Sequence, residues 1–223
     1  MIKAYSAQQL RDTEAPHLAV GEPLMQRAAA GLANEIQRQL GGTPGRVLLL
    51  VGAGNNGADA LYAGAELAAA GTVVSIIRTS TSVHEAALAA AIAAGAVVAD
   101  AARAAIVASE SDVVVDGILG TGTSANPALR GAARSIVEAV MSALDNAIVV
   151  AVDIPSGIDP DDGSVPDGVV LAADVTVTFG GYKAGLLIAP ASILAGRVRL
   201  VDIGLTPDLD KLEPLLIVPD PTG

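Results

Sequence analysis

The chain is 223 residues long, which is sufficient for one large domain with a substantial buried core. Hydrophobic residues make up 52% of it and aromatic residues only 2%, a balance typical of the aliphatic layers of α/β proteins. The absence of cysteine excludes disulfides, thiolate metal sites and thiol nucleophiles, and the net charge of −11 argues against binding to a nucleic-acid backbone. The N-terminus is polar and the apolar runs are interrupted, so we expect a cytoplasmic protein that binds neither membrane nor nucleic acid.

The first part of the chain predicts two helices followed by a buried strand. The sequence SAQQ at residues 6–9 forms a capping box, and the helix it opens should run through Glu14 and be stopped by Pro16. Apolar residues at helical spacing predict a second helix over about 22–40. The continuous aliphatic run at 47–51 predicts a strand that is covered on both faces of a parallel sheet.

The remainder of the chain alternates helices and strands. Helices are predicted over about 58–70, 83–94, 101–108 and 127–144, and strands over 72–77, 96–98, 112–116, 147–152, 174–179 and 197–203. This alternation predicts an α/β fold with three αβα layers and a doubly wound, mostly parallel, Rossmann-like sheet. We interpret residues 1–205 as the domain and the proline-rich residues 206–223 as a tail or linker.

A glycine-rich turn, VGAGNNGAD, follows the first predicted strand. Its spacing Gly52-x-Gly54-x-x-Gly57 satisfies the dinucleotide-binding fingerprint, which on a first reading indicates a dehydrogenase. That reading also requires an acidic residue at the end of the next strand, about 20 positions later. The sequence has Arg78, Thr79 and Ser80 there, so a dehydrogenase is disfavoured.

Polar loops leave the carboxyl ends of three predicted buried strands, at 54–59, 116–122 and 153–157. In a doubly wound sheet, ligands bind outside the carboxyl ends of the strands, so we expect these loops to meet over one crevice. Each loop carries an aspartate, and neighbouring carboxylates must be neutralised or bridged. With only oxygen ligands available, a bridging cation would be a hard one such as potassium, sodium or magnesium.

The motifs GNNGAD, DGILGTG and VDIPSGID resemble the signature loops of the NAD(P)H-hydrate epimerases, the YjeF N-terminal domain family. The resemblance implies an isomerase that interconverts the R and S epimers of hydrated NADH and NADPH in metabolite repair. It implies Asp153 as the acid/base group, with Asp59 as a helper, and a potassium ion as cofactor. The residues implied to bind potassium are Asn56, Asp116 and Ser156. Those implied to contact the substrate are Asn55, Asn56, Gly57, Ala58, Asp59, Gly120, Thr121, Gly122, Thr123, Ser124, Ala125, Asn126 and Asp153.

The resemblance also implies partners. An ADP- or ATP-dependent dehydratase, separate or as a C-terminal domain, would consume the product, and a homodimer is expected. A non-catalytic module of the same fold that binds a nucleotide ligand or another protein is the alternative, although a scaffold would not need these aspartates.

The conformation of Ala58 and the surroundings of Lys183 and His17 can be tested against a structure. Ala58 stands where the family usually has glycine, and its methyl group would cause strain if the position required a positive φ. Lys183 is interpreted as a contact to a phosphate or, at least as readily, as a solvated surface lysine. His17 is interpreted as a loop residue.

Overall fold

The computed structural model describes residues 1–122 and 126–219. Its strands are β1 (Ile2–Tyr5), β2 (Arg46–Val51), β3 (Val73–Arg78), β4 (Val97–Val98), β5 (Val113–Gly117), β6 (Ile148–Val152), β7 (Val175–Phe179), β8 (Tyr182–Lys183), β9 (Arg197–Val201) and β10 (Leu216–Val218). Its α-helices are α1 (Ala7–Ala19), α2 (Leu24–Gln39), α3 (Asn55–Ala69), α4 (Glu85–Ala93), α5 (Ala104–Ser109), α6 (Gly131–Ala143), α7 (Ala191–Leu194) and α8 (Thr206–Leu209). Short 3₁₀ turns lie at Ala101–Arg103 and Ala184–Leu187.

The central sheet has seven parallel strands in the order β4-β3-β2-β5-β6-β7-β9. The chain winds outward from β2 in one direction and from β5 in the other, so the strand order reverses between β2 and β5. That position is the topological switch point, where such sheets bind ligands. The predicted doubly wound α/β fold is therefore confirmed.

Strand β2 lies at the centre of two hydrophobic cores because successive side chains of a strand point to opposite faces. Val47, Leu49 and Val51 pack in the core that contains side chains of α2, α3 and α4. Leu48 and Leu50 pack in the other core, with side chains of α5 and α6. All five side chains are at most 1% exposed, which explains why this strand is uniformly aliphatic.

Helix α1 is longer than predicted. The Ser6–Gln9 capping box is confirmed, but the helix continues through Pro16 to Ala19, so the prediction that Pro16 ends it was wrong. Proline removes one backbone donor, but the Pro16 carbonyl still accepts from the Val20 N–H at 3.3 Å. His17 consequently lies on the helix and not in a loop, with its ring nitrogens 2.9 and 3.0 Å from carboxylates of Glu22 and Asp208.

A second sheet of three strands, in the order β10-β1-β8, was not predicted. Strand β1 pairs antiparallel with β10 and parallel with β8, so the two ends of the described chain meet. Residues 206–219, interpreted as part of a tail or linker, contain α8 and β10. Pro207 occupies the first turn of α8, where a missing N–H has no cost, so proline here begins a helix. Within the described residues, the helices are too short or too polar to cross a membrane.

Candidate functional site

Three loops meet at the carboxyl ends of β2, β5 and β6, as the sequence predicts. The Gly52 N–H donates to the Gly117 carbonyl at 3.0 Å, which joins the loops after β2 and β5. The Leu119 N–H donates to Ser156 Oγ at 2.8 Å, which joins the loops after β5 and β6. These hydrogen bonds fix the relative positions of the polar residues on all three loops.

Two glycines of the fingerprint are required by the packing of these loops. A Cβ atom on Gly52 would lie 1.8 Å from the Ile118 carbonyl oxygen, and one on Gly57 would lie 2.3 Å from the Gly52 carbonyl oxygen. Gly54, by contrast, has no heavy atom within 4 Å of its Cβ position. Gly52 and Gly57 thus allow close approach of backbone to backbone, whereas Gly54 caps α3 and leaves its first amide groups without a side-chain cap.

Asp116 and Ser156 form a buried pair beneath the crevice. Ser156 Oγ donates to Asp116 Oδ1 at 2.7 Å, and the Ser156 N–H donates to Oδ2 at 2.8 Å. Burial raises the pKa of Asp116, and the hydrogen bonds from Ser156 oppose that shift. Ser156 is therefore a polar link between loops.

Asn56 connects the same cluster to α3. Its amide Nδ2 donates to the Leu119 carbonyl at 3.1 Å and to the Val152 carbonyl. A Cβ atom on Gly120 would lie 2.4 Å from Asn56 Oδ1, so Gly120 is required for this contact. The three residues predicted to bind potassium, Asn56, Asp116 and Ser156, thus belong to one connected cluster.

Asp153 has an unusual backbone conformation. It is the one non-glycine residue in the described ranges with a positive φ, at 67°. This conformation costs about 1 kcal/mol or more for a residue with a Cβ, and such strain is concentrated at functional sites. It turns the chain sharply after β6 and places the carboxylate in the crevice.

Three donors hold one oxygen of the Asp153 carboxylate. Thr178 Oγ1 and the Phe179 N–H each donate to Oδ1 at 3.2 Å, and Lys183 Nζ donates to the same oxygen. Oδ2 accepts no hydrogen bond from the described residues, and it is not among their fully buried unpaired atoms. One oxygen is therefore fixed, and the other is left for a ligand.

Lys183 is the partner of Asp153, and its interpretation as a solvated lysine was wrong. The residue is only 3% exposed, and its ammonium group also donates to Thr178 Oγ1 and the Phe179 carbonyl, each at 3.0 Å. A buried lysine needs such partners. The only signal in the sequence was its position shortly after a buried strand.

Two cavities lie at this end of the sheet. The larger has a volume of about 530 Å³, and the smaller, about 110 Å³, contains Asp59 and Asp153. Four residues line both cavities: Glu14, Asn55, Asn56 and Thr121. The cavities therefore form two parts of one crevice. A separate groove of about 610 Å³ lies at the amino ends of β2, β5 and β6, away from these loops.

The structure brings most of the predicted substrate residues to this crevice. Those that line one or both cavities are Asn55, Asn56, Asp59, Gly120, Thr121, Gly122, Asn126 and Asp153. Gly57 and Ala58 are buried in the first turn of α3 and line neither cavity. Thr123, Ser124 and Ala125 lie outside the described residues.

Ala58 does not strain the backbone, because it lies in α3 and has no positive φ. Its methyl group is fully buried in the hydrophobic core. The position does not require a positive φ, so the methyl group of Ala58 does not cause the strain considered from the sequence.

The pKa values of two carboxyl groups in the smaller cavity, those of Asp59 and Glu14, are raised. Burial raises the pKa of Asp59 well above its ordinary value, and the negative charges of Asp153 and Glu14 act in the same direction. Burial is also the main cause of the raised pKa of Glu14. Sequence reasoning did not identify Glu14 as a site residue, because its position on α1 carries no motif.

The doubly wound sheet, with a strained, lysine-paired aspartate in a polar crevice at its switch point, defines a Rossmann-like α/β protein whose crevice lies where sheets of this class bind ligands. Residues 21–185 match the family described as YjeF-related protein N-terminus, and the chain belongs to that family.

Curated relatives extend the match to nearly the whole chain. An NAD(P)H-hydrate epimerase of Clavibacter michiganensis is 52% identical, over 95% of this chain and 94% of the relative. A bifunctional NAD(P)H-hydrate repair enzyme of Mycobacterium tuberculosis is 44% identical, over 90% of this chain but only 41% of the relative. The crystal structure of a yeast protein superposes with a TM-score of 0.71 at 22% identity, covering 82% of this chain and 83% of that one, and so supports the fold.

Proposed function

We propose that this chain is an NAD(P)H-hydrate epimerase, an isomerase that interconverts the R and S epimers of hydrated NADH and NADPH. The names of relatives about half identical to it support this activity. The observation that carries the proposal is the Asp153 carboxylate at the smaller cavity, where three donors hold Oδ1 and Oδ2 accepts no hydrogen bond from the described residues. The binding-module alternative gives no role to a buried, strained aspartate that is paired with a lysine at the crevice.

Asp153 is the proposed acid/base group. The epimerised carbon carries a hydroxyl group and is bonded to the ring nitrogen, so its configuration can change by breaking and re-forming the C–O bond. That reaction requires proton transfer to the departing oxygen and from the arriving one. Lys183 fixes the carboxylate in one orientation, so that a single oxygen is presented to the substrate. Asp59 lines the same cavity and is the proposed helper.

The crevice has room for a nucleotide next to this group. We propose that the hydrated ring occupies the smaller cavity and that the rest of the dinucleotide extends into the larger one. The first amide groups of α3 lack a side-chain cap at Gly54 and provide donors for a phosphate. Asn55, Asn56 and Thr121 would contact the substrate where the two cavities join.

A potassium ion fits the donor set of Asn56, Asp116 and Ser156. Together they offer a carboxylate, a hydroxyl and an amide oxygen, and the carbonyl oxygens that accept from the Asn56 amide add to this polar cluster. Oxygen ligands with one carboxylate suit a hard cation of low charge. Such an ion would offset the charge of Asp116 and hold the three loops together.

The proposal is tested by incubating the protein with R-configured NADH hydrate and measuring the epimer ratio by chromatography, with potassium or sodium as the only monovalent cation. Epimerisation should exceed the rate without protein, depend on potassium and be lost in Asp153→Asn. Asp145→Asn, at an exposed aspartate beside the distant groove, is the matched control and should remain active. Binding of the hydrates without turnover by the unmodified protein would favour the binding module.

A partner dehydratase, homodimerisation and a cytoplasmic location stay predictions.

A further inference from the structure

Glu14 enters the crevice from an element outside the central sheet. It lies on α1, and its side chain lines both cavities. Asp153, in contrast, comes from the carboxyl end of β6 in the sheet. The smaller cavity is therefore lined by three carboxylates, which reach it from three separate elements: Glu14 on α1, Asp59 on α3 and Asp153 after β6.

The Glu14 carboxylate is not used to hold the fold together. Within the described part of the chain it accepts no hydrogen bond and forms no ion pair, whereas Asp12 on the same helix accepts from Gln8 Nε2 at 2.7 Å. Glu14 is nevertheless half-buried. A carboxylate that lines the cavity and has no partner among the described side chains is available to a ligand.

We propose that Glu14 is a second acid/base group of this site, acting on the face of the substrate ring opposite Asp153. This inference rests on the proposed epimerase function. Inversion at the hydroxyl-bearing carbon needs a group on each face, because the oxygen departs from one side and a new oxygen arrives on the other.

In one direction of the reaction, one water molecule leaves the substrate and a second water molecule replaces it. One carboxylic acid gives its proton to the hydroxyl group, the C–O bond breaks, and water leaves while the lone pair of the ring nitrogen forms a C=N bond. A second water then attacks the opposite face and gives a proton to the other carboxylate, while the C=N electrons return to nitrogen. The reverse reaction exchanges the two roles, so each group must act both as an acid and as a base.

The electrostatics of the cavity suit this exchange. Burial raises the pKa of Glu14, and the negative charge of Asp153 acts in the same direction, while the positive charges of Lys183 and Arg11 lower it. Asp59 lines the same cavity, and its pKa is raised well above its ordinary value by burial first, with the negative charges of Asp153 and Glu14 acting in the same direction. Several carboxyl groups close to one buried lysine favour a state in which one of them keeps its proton. The group that protonates the departing oxygen must carry such a proton.

The test compares Glu14→Gln with Asp12→Asn, a change of the same kind at an exposed position of the same helix. Glu14→Gln should lower kcat by about 100-fold or more, the usual size of an acid/base contribution, with KM and the thermal unfolding midpoint nearly unchanged. Asp12→Asn should have normal kcat. If the unmodified protein lacks epimerase activity, the proposed function fails. If it is active and Glu14→Gln retains its kcat, only the role of Glu14 fails.

A second measurement follows the oxygen atom. In water enriched in oxygen-18, initial-rate turnover of unlabelled substrate should place the label in the new epimer, because the departing oxygen is replaced from the opposite face. Retention of the original oxygen would indicate ring opening and reclosure and would overturn the proposal.

Discussion

Replacing Lys183 by methionine tests how much the buried Lys183–Asp153 pair contributes to the fold. The two side chains are only 4% and 9% exposed, and Lys183 also donates to Thr178 and Phe179. Methionine fills much of the same space but has no donor, so the change leaves a buried carboxylate without its cation. Removing one partner of a buried pair costs about 3–5 kcal/mol, and we expect a loss of this size in the free energy of unfolding.

The assay is urea denaturation followed by far-ultraviolet circular dichroism. Lys211→Met is the matched control, because Lys211 pairs with Asp208 on the surface, and the midpoint of its unfolding should hardly change. Adding Asp153→Asn to Lys183→Met should restore part of the lost stability, since the amide carries no charge to be buried. A loss below about 1 kcal/mol in Lys183→Met would show that the carboxylate is solvated and would refute this reasoning.

Two further predictions concern the loops and α1. Gly52→Ala should destabilise the protein by about 3 kcal/mol or more, because its Cβ would lie 1.8 Å from the Ile118 carbonyl oxygen. Gly54→Ala is the control and should be tolerated, since no heavy atom lies within 4 Å of its Cβ position. Similar unfolding midpoints for the two variants would contradict this prediction. Hydrogen bonds to two carboxylates, that of Glu22 foremost, raise the pKa of His17 above 6.5. The stability that protonated His17 contributes is fully present below its unfolded pKa and is lost as the pH rises through the folded pKa. His17→Ala should therefore lower the thermal midpoint more at about pH 5.5 than at about pH 9, and equal losses would refute the linkage.

Features that depend on neighbouring residues were predictable from the sequence. The aliphatic run of β2 shows that the strand is buried on both faces, and the Ser6–Gln9 capping box marks the start of α1. The three loops could be placed together because parallel strands carry their carboxyl ends to one edge of a sheet. These inferences need only local patterns and the rules of chain connection.

Features that depend on distant contacts were not predictable. Lys183 and Asp153 are 30 residues apart, and nothing near either one indicates that they pair. Strand β1 pairs with β10 although the two strands lie at opposite ends of the described sequence, with Ile2 opposite Val218. The strands of the small sheet have only two to four residues, which is too short for a recognisable alternation of polar and apolar residues. Glu14 could be read only as a polar residue near the end of a helix until the position of α1 was known.

The small sheet links these unpredicted features to the site. Strand β1 leads directly into α1, which carries Glu14, and Tyr5 of β1 lies opposite Lys183 of β8. The Arg11 guanidinium on α1 donates to the Thr121 carbonyl at 2.8 Å, which ties the helix to the loop after β5. The central sheet thus positions Asp153, whereas the small sheet positions both its lysine partner and the second carboxylate. Since β10 pairs with β1, residues first interpreted as part of a tail or linker pair with the strand that leads into α1.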